Sequence, residues 1–252
     1  MRLSSLALAA TLLLAIPARA ADAHTVVALS RQRVQSADFR ASGHLVRVDA
    51  AGLRTSYPIT LKARWFPGVL RVLLEIASPA DARSHILLEM RPNGQNTIQI
   101  AHPGDAAPAA MPFDRWSNGP LGDGFSYEDF FEPQYFWPVQ TFVEQTKFGA
   151  RDCDVIKSSP GASDRTHYAV VRTWLDHGIG FPVYAEKTLK ETGAVKEFTY
   201  FGLRHNGGVW SASQVEAKTR GHAGSTLLII DHGSAKANLS LKEFSSEQLI
   251  HF

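Results

Sequence analysis

Ten histidines, at positions 24, 44, 85, 102, 167, 177, 205, 222, 232 and 251, are the first residues that could do chemistry. An imidazole can ligate zinc or relay a proton, but a metal site needs several donors at a fixed spacing, such as His-x-His or His-Glu-x-x-His. Neither spacing occurs. His177 and His232 stand in Asp-His-Gly triplets, where Asp and Gly supply the turn and the histidine reads as incidental. A serine nucleophile would need a Gly-x-Ser-x-Gly elbow between a strand and a helix. The nearest run, Gly221-His222-Ala223-Gly224-Ser225, has another spacing and leads into a strand pattern. No phosphate loop or Gly-x-Gly-x-x-Gly is present. Glu128 and Asp129 are adjacent acids, but neighbours on a helical turn point apart. The pattern Ser126 to Asp129 reads instead as a capping box, with acids at the positive end of the turn. Cys153 is the single cysteine, so no disulfide within the chain is possible. On a strand it shares parity with Val155 and reads as a small buried hydrophobe without an activating base. These residues predict no catalytic constellation, no metal and no cofactor.

What the sequence has in excess is aromatic. Trp116, Phe125, Tyr127, Phe130, Phe131, Tyr135, Phe136 and Trp137 fall within 22 residues. The elements around them are strands. Thr25 to Gln35 has a helical period; then Tyr57, Ile59, Leu61, Ala63 and Trp65 alternate with mostly polar residues, the mark of a strand with one apolar face. Leu70, Val72, Leu74 and Ile76 repeat the pattern, as do Ile86, Leu88 and Met90, and Thr97 to Ile100 completes a four-stranded meander. Seven further strands are predicted after residue 138: 141–148, 152–157, 167–175, 182–189, 195–201, 209–217 and 225–231. Gly-containing turns separate most of them. Ser245 to Gln248 resembles a second capped turn. The prediction is a mainly β protein, one curved antiparallel sheet of about eleven strands, an incomplete barrel with short helices over its concave face. Long helices between strands are absent, which excludes doubly wound α/β folds. A curved sheet lined by Trp65, Val72, Leu74, Ile86 and Leu88, and covered by Tyr127, Phe130, Phe131 and Trp137, would enclose an apolar cavity under a lid.

The first 20 residues, MRLSSLALAATLLLAIPARA, combine a basic start, a short apolar run and a terminal Ala-Arg-Ala. They predict a signal peptide cleaved after Ala20 and an exported, periplasmic domain over residues 21–252. The run is too short to span a bilayer. Arg2 and Arg19 account for the net charge of +2; without them 24 basic residues face 24 acidic ones. That balance gives no basic surplus for nucleic acid, while the 44% hydrophobic content predicts a packed core.

A family resemblance lies in a series of segments: Gly124-Phe125-Ser126-Tyr127-Glu128-Asp129-Phe130, Arg151-Asp152-Cys153-Asp154-Val155, and Arg172-Thr173-Trp174-Leu175-Asp176 with Gly180-Phe181-Pro182-Val183. Gly193-Ala194-Val195-Lys196-Glu197-Phe198, Gly208-Val209-Trp210-Ser211 and Gly224-Ser225-Thr226-Leu227 follow in order. In series they resemble the outer-membrane lipoprotein-sorting, LolA-like group of periplasmic proteins. Ser211 stands where that group often has proline. The resemblance implies an incomplete β-barrel that holds acyl chains of a lipid or lipoprotein, without catalytic residues. Its partners would be an inner-membrane donor and an outer-membrane acceptor protein. A sensor module of the same fold, binding a membrane-protein partner, is the alternative, and a secreted enzyme with a site converging from distant residues is a third reading.

Overall fold

The computed structural model describes residues 22–120 and 124–252; the predicted signal peptide lies outside them. Helix α1 (Ala23–Gln35) opens the described chain, with Asp22 capping its first turn. Six strands follow: β1 (Asp38–Val48), β2 (Arg54–Phe66), β3 (Val69–Ile76), β4 (Ser84–Met90), β5 (Thr97–Ala101) and β6 (Ala109–Ala110). After the aromatic segment come β7 (Val139–Phe148), β8 (Arg151–Ser159), β9 (Tyr168–Asp176), β10 (Pro182–Leu189), β11 (Val195–Asn206), β12 (Val209–Thr219) and β13 (Ser225–Ser234). The chain ends in a short 3-10 turn, Leu241–Phe244, and α2 (Ser246–Leu249).

All strands belong to one antiparallel sheet in the order β6-β5-β4-β3-β2-β1-β13-β12-β11-β10-β9-β8-β7. Two meanders, β1–β6 and β7–β13, thus join where the first strand meets the last. The sheet leaves β6 and β7 as edges and does not close into a barrel. Its thirteen strands among the described residues exceed the predicted eleven by β1 and β6. β1 escapes a periodicity search because two of its inward positions are Ala41 and Gly43, small residues with little apolar signal. Gly43 is small for a reason. The pairing of β1 with β13 shifts register between Ser42 and Gly43, and a Cβ at 43 would lie 1.9 Å from the Ile229 carbonyl oxygen. β6 is only two residues long.

The main core lies on one face of the sheet, where Leu45, Ile59, Leu61, Val72, Leu74, Ile86 and Leu88 meet Ile156, Leu175 and Phe198 from the second meander. α1 adds Val27 and Val34, and residues 124–137 add Phe125, Phe131 and Tyr135. The C-terminal turns take the opposite face. Leu239, Phe244 and Leu249 cover Leu73 and Leu87, which point away from Leu74 and Leu88 by strand alternation. The helical elements are therefore divided between the two faces rather than gathered on one. A full capping box closes Ser240 to Glu243, one turn before Ser245, which caps the Gln248 backbone as the sequence suggests.

Candidate functional site

Between the sheet and the aromatic segment lies a cavity of about 330 Å³, within the range of small-molecule sites. Its walls are Val34 of α1 and Ala37 just after it, Phe39 and Ala41 of β1, Leu61 and Ala63 of β2, Leu70 and Val72 of β3, and Phe198, Tyr200, Val215 and Leu228 of β11–β13. Phe125, Phe130 and Phe131 form the cover. Alternation along β11 explains one wall: Phe198 and Tyr200 point inward, two residues apart.

At one end of this apolar space lies a buried ionic centre. Lys187 of β10 and Lys196 of β11 stand directly opposite each other on the inward face. Two ammonium groups in that register repel. Asp129 bridges them, with Oδ1 accepting from Lys187 Nζ at 2.8 Å and Oδ2 from Lys196 Nζ. Tyr168 Oη donates to Oδ1 at 2.7 Å, and the Ser126 backbone amide and hydroxyl donate to Oδ2 at 2.8 and 2.7 Å. Burial pulls the Asp129 pKa upward, but the two ammoniums outweigh it and hold the carboxyl well below its usual range. Burial lowers the pKa of Lys196, with Asp129 opposing and Lys187 adding to the fall. The outer face of the same strand pair is a mirror in sign. Glu186 and Glu197 stand opposite each other, and Arg220 spans them at 2.5 and 2.7 Å.

Glu128 points the other way, as adjacency predicts. It is buried and accepts from Thr166 Oγ1 at 2.9 Å and the His167 amide at 3.2 Å, with His167 Nδ1 at 3.1 Å. The capping box is present, yet capping is the smaller part of what these acids do: they pin the cover to β10, β11 and the loop before β9. The other end of the cover is tied to α1, by Arg33–Glu132 at 2.6 Å and by Arg31 donating to the Tyr135 carbonyl.

A family model described as "Uncharacterized protein" matches residues 71–251. The chain belongs to that family. No curated protein matches it. Among solved structures it is similar to a Vibrio parahaemolyticus domain named for outer membrane lipoprotein sorting, at 18% identity and a TM-score of 0.80, covering 91% of this chain and 100% of that one. It is also similar to a DUF1329 family protein from Desulfovibrio piger (14% identity, TM-score 0.79, 90% and 98% covered) and a LolA superfamily protein from Nitrosomonas europaea (13%, 0.68, 90% and 99%). The fold is LolA-like.

Within this LolA-like sheet the predicted site residues divide. Val72, Phe130 and Phe131 line the cavity. Leu74, Ile86 and Leu88 are in the core beside it without facing it, and Trp65 stacks on Phe136 at 5.6 Å against that core. Tyr127 packs on the core rim, and Trp137 joins Tyr168 and Val171 in a separate cluster. Sequence reading missed Asp129, Lys187 and Lys196 as a unit. The available signal was parity: Lys187 follows Val183 and Ala185 on one strand face, and Lys196 precedes Phe198 on the next. His177 is not incidental, since its Nδ1 lies 2.8 Å from Asp154 Oδ2. Cys153 is buried, and strand alternation puts its thiol on the face opposite Asp154 and hence opposite His177. Burial raises its pKa. Among the described residues no group of three or more His, Cys, Asp or Glu could hold a metal ion.

Proposed function

We propose that the chain is a periplasmic carrier that holds acyl chains of a lipid or lipoprotein in the cavity beneath Phe125, Phe130 and Phe131. It would receive them from an inner-membrane donor and pass them to an outer-membrane acceptor. One observation carries the reading: an apolar cavity lies between a LolA-like sheet and an aromatic cover. Each methylene buried there gains about 0.8 kcal/mol relative to water, which offsets the similar amount it gives up on leaving a bilayer. In this reading the cover acts as a lid that stays anchored at Asp129 and opens at its Glu132–Tyr135 end, where Arg31 and Arg33 are partly exposed. Native mass spectrometry of the exported protein, extracted gently, tests the proposal. A bound lipid or lipopeptide, and displacement of a fluorescent fatty acid by unlabelled chains, are the expected results. A protein that emerges empty and takes up no probe would overturn it.

A further inference from the structure

The pairing of β11 with β10 stops at Thr199↔Tyr184, and that of β12 with β13 begins only at Gln214↔Ile229. Residues 201–213 are therefore a two-stranded ribbon projecting beyond the sheet, closed by Gly207 and Gly208 at φ +59° and +85°. Opposite it, Ile230 to Ser234 of β13 stay paired with β1, so the sheet forks here, and both prongs line the cavity. The fork is the cavity mouth.

On the ribbon the usual polarity is inverted. Facing the cavity are Arg204, Asn206, Ser211 and Ser213, with Val209 opposite Asn206, where deeper in the sheet Phe198 and Tyr200 face it. On the other face are Phe201, Leu203, His205, Trp210 and Ala212, of which Trp210 and Ala212 also border the cavity at the mouth; Phe201 is 43% exposed and Trp210 packs on His205. A strand pair with apolar side chains outside and polar ones inside fits an apolar neighbour outside and a head group inside. Residues 201–213 contain no acid, Arg204 has no ion-pair partner among the described residues, and the Lys236 stem lies against Gly207. Asp231, on the facing prong, has its Oδ2 2.9 Å from His44 Nδ1.

We propose that this ribbon docks the cavity mouth on an anionic lipid surface, with Phe201, Leu203 and Trp210 in the head-group layer and Arg204 on a lipid phosphate. Tryptophan favours that depth, and the unpaired edge of β11 keeps the ribbon out of the hydrocarbon, where free backbone groups are costly. The inference rests on the carrier reading, because a docked mouth lets a chain pass from bilayer to cavity without crossing water.

The test is flotation of the mature protein with phosphatidylcholine vesicles, with and without phosphatidylglycerol, beside uptake of a fluorescent fatty acid from solution. The expected result is salt-sensitive binding to the anionic vesicles. Phe201→Ser with Leu203→Ser, neither of which lines the cavity, should weaken it roughly tenfold or more with unchanged Tm and probe uptake, and Arg204→Glu should abolish its salt sensitivity with unchanged Tm. Failure of the wild type to float on either vesicle, or ribbon variants that float as well as wild type, would overturn the docking while leaving the cavity reading intact. Loss of probe uptake in the wild type would strike the cavity reading instead. Ribbon variants that float normally but lose a co-purifying protein would assign the surface to a protein partner and overturn the lipid assignment.

Discussion

Replacing Asp129 by Asn removes one charge from a buried ionic centre. The carboxylate is fully buried and holds two ammoniums whose own side chains are 4% and 7% exposed. In Asp129→Asn, one amide atom is a donor facing a lysine, and two buried cations stand opposite each other without an anion. Breaking a buried ion pair from one side costs about 3–5 kcal/mol. For a domain of this size that lowers Tm by about 6–20 °C, at roughly 2–4 °C per kcal/mol. Lys196→Met should behave differently, because it leaves Asp129 and Lys187 as a neutral pair and places an apolar chain where burial already disfavours the charge; its cost should be about 1–2 kcal/mol. In the Asp129→Asn background the same Lys196→Met change should become stabilising, since it removes one of two repelling charges. Urea denaturation of the four proteins measures all three quantities as a double-mutant cycle. If Asp129→Asn costs under about 1 kcal/mol, or Lys196→Met costs the same in both backgrounds, the centre does not hold the cover as argued.

The same carboxylate sets an acid limit. Its folded pKa lies below the unfolded value of about 3.9, so its contribution is complete above that pH and is lost as pH falls through the folded value; chemical denaturation below about pH 4 should show a decline that Asp129→Asn lacks. Phe131 is 1% exposed and should cost about 3–5 kcal/mol as Ala, whereas partly exposed Phe130 should cost less and change fatty-acid uptake more than Tm; equal losses in both assays would reduce the cover to core packing. Cys153 should label slowly in the native protein, and Cys153→Ser should be less stable than Cys153→Ala because it buries a hydroxyl; fast labelling would contradict its buried position. N-terminal sequencing of the exported protein should begin at Ala21, and retention of Met1 would refute the predicted cleavage.

Local pattern was enough for much of the sheet. Strands β2 to β4 announce themselves because Ile59, Leu61, Val72, Leu74, Ile86 and Leu88 alternate with mostly polar residues, Leu73 and Leu87 being the exceptions that the C-terminal turns cover, and alternation follows from the pleat of a single strand, whatever it pairs with. The same holds for the Ser126 to Asp129 turn, whose hydrogen bonds close within four residues. β1 was illegible because its inward glycine answers to the Ile229 carbonyl on a strand nearly two hundred residues away. Tertiary structure alone decided the rest. Asp129 lies 58 and 67 residues from its two lysines, and only the register of β10 against β11 puts those lysines opposite each other. Which apolar residues face the cavity, and which merely fill the core beside it, depends on where Phe130 and Phe131 come down on the sheet. Equal hydrophobicity makes Val72 and Leu74 alike in the chain, and only the packing of a distant segment against one of them makes that one part of a site.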